Sequence, residues 1–103
     1  MANKEYIERL KQVIFHLHKA DSKHVESVSV EERYRGRTIW KGIVEVFNLV
    51  RHPKAKRCYA WSHKAGKDDK DERFVAVLEI PPVKDPHSAV QVAIAAEVKE
   101  SKK

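Results

Sequence analysis

The chain has 103 residues and a mass of 11.9 kDa, with 42% hydrophobic and 35% charged residues. That is enough for one domain with one modest core, spanning 1–103 with a frayed tail from about residue 100, and too little for a second folded unit. The lone Cys58 excludes an internal disulfide. No apolar run approaches the ~20 residues that span a bilayer, and the charged N-terminal decade lacks the apolar core of a signal peptide. A cytoplasmic protein without a membrane partner is the expectation.

Residues 3–20 read as an amphipathic helix, because Tyr6, Ile7, Leu10, Val13, Ile14 and Leu17 recur at spacings of three and four. Asn3 is its candidate N-cap. From Val25 to Val30 the pattern becomes alternating, with Val28 and Val30 opposed to Ser27 and Ser29. Tyr34-Arg35-Gly36-Arg37-Thr38 supplies a glycine for a tight reversal, and Thr38 to Val50 forms a long strand that closes a hairpin. Both parities of that strand are apolar, which places it centrally in a sheet.

His52-Pro53 breaks the run, since proline lacks the N–H a ladder needs. Strand character returns from Lys56 to His63, followed by a charged loop over Lys64 to Arg73 expected to be mobile. Phe74 to Ile80 is a fourth strand, ended by Pro81-Pro82. Asp85-Pro86 then announces a helix through about Lys99, with small apolar residues such as Ala89, Ala93 and Ala96 on its inner side. The resulting class is α+β in the order α-β-β-β-β-α: an antiparallel meander with both terminal helices packed on one face in two layers.

The net charge of +6 is concentrated. Between Arg33 and Arg57 there are eight basic residues, and Glu45 is the only acid. Clustered cations attract polyanions and release their condensed counterions. Aromatic residues lie within or beside this stretch, as base stacking next to phosphate neutralisation requires. The sequence therefore points to a non-enzymatic nucleic-acid binder, RNA rather than DNA. The contacts fall to Arg33, Arg35, Arg37, Lys54, Lys56 and Arg57, with Tyr59 and Trp61 as the stacking surface.

The competing reading makes the protein a homodimerisation or protein-interaction module using an exposed sheet face or edge. A third uses Cys58 with a histidine as a nucleophilic pair, although a small buried cysteine is more commonly a core residue. No glycine-rich phosphate loop, serine elbow or HExxH helix occurs, and the histidines lack ligand spacing; neither cofactor nor metal is expected.

The runs from Trp40 to Leu49, His52 to His63, Phe74 to Leu78 and Pro81-Pro82-Val83 resemble a small family of bacterial proteins to which no activity is attached. The helix-meander-helix order is also similar to the double-stranded RNA-binding domain, which implies minor-groove contacts from the first helix and phosphate contacts from lysines opening the last. That lysine-rich start is replaced here by Asp85-Pro86-His87-Ser88, with Lys84 alone beside it.

Overall fold

A computed structural model describes residues 4–65 and 71–101, the side chains of 63–65, 71, 72 and 97–101 excepted. The elements are α1 (Lys4–His18), β1 (Asp21–Tyr34), β2 (Arg37–Val50), β3 (Arg57–Ala65), β4 (Asp71–Leu78) and α2 (Pro86–Ser101). The strands form one antiparallel sheet in the order β1-β2-β3-β4. The expected class and element order are thus present. Asn3, the centre of the charged loop at 66–70, and the last two residues of the tail lie outside the described residues.

The expectation that both helices share a face is corrected: they lie on opposite faces, giving three layers. Leu10 and Ile14 of α1 pack with Phe47, Cys58 and Ala60. Ala89 and Val90 of α2 pack with Val30, Val44, Val46, Tyr59 and Trp61. Because successive strand residues point to opposite faces, Val46 and Phe47, or Cys58 and Tyr59, require two different covers. The double-sided apolarity of β2 is satisfied by one helix on each side.

Both helices end through local chemistry. Lys19 adopts a positive φ of 56° beyond α1, and its N–H bonds to the Phe15 carbonyl at 2.8 Å, a left-handed C-terminal cap built on lysine instead of glycine. His18 Nε2 donates to the Ala76 carbonyl at 2.9 Å, tying that end to β4. At the start of α2, Ser88 N–H donates to Asp85 Oδ1 at 2.8 Å, while Ser88 Oγ accepts from the N–H groups of Lys84 and Asp85 at 2.9 and 3.0 Å. This is a reciprocal capping box.

The Ser88 backbone N–H, then its hydroxyl, hold the Asp85 carboxyl below its ordinary range. Its stabilisation is complete above the unfolded carboxylate pKa of about 3.9 and is lost as pH falls through the depressed folded value. Asp85→Ala is expected to cost about 1 kcal/mol in denaturant melts near pH 7. Asp85→Asn is expected to keep the cap and remove this acid dependence.

The sheet is unevenly knit. β1 and β2 pair along nearly their whole length, but β2 and β3 pair only from Glu45↔Ala60 to Asn48↔Arg57. Beyond that seam the two hairpins diverge. On one face Trp40 and Trp61 meet edge to face at 5.9 Å between ring centroids. The Trp40 ring folds over Gly42, where any Cβ would come within 3.0 Å of it. On the other face Ser62 N–H donates to Tyr6 Oη at 2.9 Å.

Candidate nucleic-acid interface

The cations expected to form one surface occupy two ends of β2. Arg35 and Gly36 make the two-residue turn between β1 and β2, both with positive φ, 52° and 79°, as a hairpin of this twist demands. Arg33 donates to the Gly36 carbonyl at 3.3 Å, and the Arg35 guanidinium lies 5.3 Å from the Tyr34 ring centroid. Arg37 begins β2 on the other side of the turn. Glu31, bonded to Thr38 Oγ1 at 2.8 Å, adds an acid near this tip.

Lys54, Lys56 and Arg57 belong to the connection at the far end. Arg37 and the Asn48↔Arg57 pair are eleven residues apart along β2, roughly 36 Å at a rise of about 3.3 Å per residue. The expectation of a single basic patch is therefore corrected to two. The signal lost in the sequence is strand length: cations that flank a 14-residue strand are carried to its two ends.

The connection 51–56 is held in shape by its own side chains. His52 Nδ1 accepts from the Lys54 and Ala55 N–H groups at 3.1 and 3.0 Å, which requires that nitrogen to be unprotonated. Leu49 N–H bonds to the Lys56 carbonyl at 2.8 Å, and Ala55 is buried beneath the turn. Arg51 (φ 60°), Lys54, Lys56 and Arg57 remain exposed around this scaffold. Strand register adds two residues that composition did not single out: Lys23 and Asn48 stand side by side with Arg57 across β1, β2 and β3. The nearby Glu79 carboxylate is occupied by the Tyr59 hydroxyl.

Tyr59 and Trp61 do not form a stacking surface. They are 1% and 2% exposed, packed under α2 in the main core. Burial first, and then the Glu79 carboxylate, push the Tyr59 phenol well above its ordinary pKa. This expectation is corrected on the same ground as the helix placement: their strand face is covered by α2.

Cys58 is fully buried on the opposite face among Leu10, Ile14 and Phe47, and burial pushes its thiol up to about 12. A thiol so protonated is a poor nucleophile at neutral pH. Alkylation of the native protein is expected to be far slower than that of the urea-unfolded chain, read by mass spectrometry over a time course.

A different buried polar group sits at the sheet centre. Glu45, 2% exposed, accepts from His24 Nε2 at 2.8 Å and from the Ser27 hydroxyl through the same oxygen, Oε1. Both donors spend themselves on the carboxylate and not on each other, so the trio lacks the nucleophile–base link of a catalytic triad. It is a satisfied structural cluster. His87 Nε2 approaches Glu32 Oε2 to 2.5 Å beside α2, a close contact outside hydrogen-bond geometry.

Comparison with protein-family models, curated proteins and solved structures finds no match to this chain. The likeness to the double-stranded RNA-binding domain accordingly has no structural neighbour behind it. No helix among the described residues is long and apolar enough to cross a membrane.

Proposed function

We propose that the protein binds nucleic acid, RNA in the first instance, by its phosphate backbone at the β2–β3 end. The observation that supports this is the exposed set Arg51, Lys54, Lys56 and Arg57 on a turn pre-shaped by His52. With Tyr59 and Trp61 in the core, the contacts are charge on phosphate, and the binding is indifferent to base sequence. The hairpin tip is a separate group, with Arg33 and Arg35 engaged in shaping the turn.

Titration of labelled RNA and DNA oligonucleotides at several salt concentrations tests the reading. Four neutralised phosphates give log K a slope against log salt of about −3.6 on a duplex and about −2.8 on a single strand. Lys54→Ala with Lys56→Ala is expected to flatten the duplex slope by about 1.8, at about 0.9 for each phosphate no longer neutralised, while changes at Arg33, Arg35 and Arg37 leave it nearly unaltered. Absence of binding at low salt overturns the function. An equal loss from the hairpin tip overturns the site.

A further inference from the structure

The longest unpartnered backbone edge described belongs to β1, a 14-residue outer strand whose only ladder is to β2. Its outward N–H and C=O groups form a template for another strand. An open groove borders the strand on each face. One, of about 560 Å³, lies between Phe15 and His16 of α1 and Asp21-Ser22. The other, of about 370 Å³, lies between Val28–Glu31 and Asp85–His87 at the start of α2.

Which chain fits this edge follows from its own charges. Pairing with β2 puts Ser22, His24, Ser27, Ser29 and Glu31 on the face of α1, and Lys23, Glu26, Val28, Val30 and Glu32 on the face of α2. The irregularity between His24 and Glu26 makes Val25 a bulge, so that facing changes by one residue there. A second β1 laid antiparallel across a two-fold axis must oppose residues of the same face.

Centred on Val28, such a pair matches Ser27 with Ser29 and Glu26 with Val30. Past the bulge it matches Lys23 with Glu32, twice by symmetry, where Glu32 also meets His87 of its own chain; His24, held by Glu45, falls opposite Glu31 and adds no charge pair. Centred on Ser29 it would oppose Glu26 to Glu32, and centred on Ser27 it would oppose Asp21 to Glu32, acid against acid. The bulge is what creates the complementary register, because without it Lys23 would face Arg33.

We propose that β1 pairs antiparallel with β1 of a second copy, centred on Val28, to form a continuous eight-stranded sheet. Sedimentation of the full chain over a wide concentration range should show a species of twice 11.9 kDa. Lys23→Glu places an acid opposite Glu32 at each of two symmetric positions and should raise the dimer dissociation constant roughly tenfold, with unchanged far-UV circular dichroism. Hydrogen exchange on the unaltered protein gives an independent readout: the outward amides between Ser27 and Glu31 should gain protection as concentration rises.

A wild-type chain that stays monomeric throughout overturns the proposal. So does a dimer whose outward β1 amides exchange as fast as the monomer's, or a folded Lys23→Glu variant that dimerises as tightly. Lys23 also stands beside Arg57 at the far turn, so sedimentation and hydrogen exchange are run without nucleic acid, and the success or failure of the salt titration on the unaltered chain leaves this result independent.

Discussion

Trp61→Ala is expected to destabilise the protein by about 3–5 kcal/mol, read as a fall in the denaturant midpoint. The indole is 2% exposed, against Trp40 and in the core beneath α2, so its removal leaves a void in the cluster that holds Val30, Val44 and Val90. It also deletes the edge-to-face partner of Trp40 where the β1–β2 and β3–β4 hairpins part. Against a total of about 5–15 kcal/mol for a domain, that loss removes a large share of the stability. Trp61→Phe refills most of the space and should recover more than half of the deficit. At temperatures where both variants remain folded, polyanion affinity should match the wild type, the opposite of what a stacking residue would show.

Glu45→Ala is the second large effect, about 2–4 kcal/mol, from the missing charged hydrogen bonds and a void at the sheet centre. The carboxylate is buried on the central strand, between Ser27 of β1 and Ala60 of β3, and is the acceptor for His24 and Ser27. Glu45→Gln preserves volume and an acceptor but removes the charge, and should cost roughly half as much. The His24→Ala/Glu45→Ala double variant distinguishes a coupled pair from two separate losses: its penalty should be smaller than the sum of the singles by about 1 kcal/mol. Equal additivity would show that the two side chains act independently.

The element order was legible because it rests on local signals: a 3.6-residue repeat in α1, alternation in the strands, the Asp85-Pro86 helix start before α2, and Gly36 and Pro53 as punctuation. The side taken by each helix depends on which parity of β2 and β3 each one covers. The clue was present in Phe47 and Leu49 alternating with Val44 and Val46, a strand apolar on both faces. Two helices, one per face, satisfy that pattern; self-association is not required by it.

The candidate site was less legible. Counting charge along the chain found Lys54, Lys56 and Arg57, but distance in space between them and Arg33, Arg35 and Arg37 follows from the length of β2. Lys23 joins the far group only through strand register, which the Val25 bulge shifts by one residue. Tyr59 and Trp61 illustrate the ambiguity of a strand aromatic: the same ring serves a core or a ligand, and only the presence of α2 above it decides.

The four-pair junction of β2 with β3 has a mechanical meaning. Each hairpin is internally zipped, while α1 and α2 each pack against strands of both hairpins. The halves are thus joined by this short ladder and by the two helices that bridge it. Load applied across that joint would be borne by side-chain packing under the helices, so the halves should peel apart along it while each hairpin keeps its own hydrogen bonds.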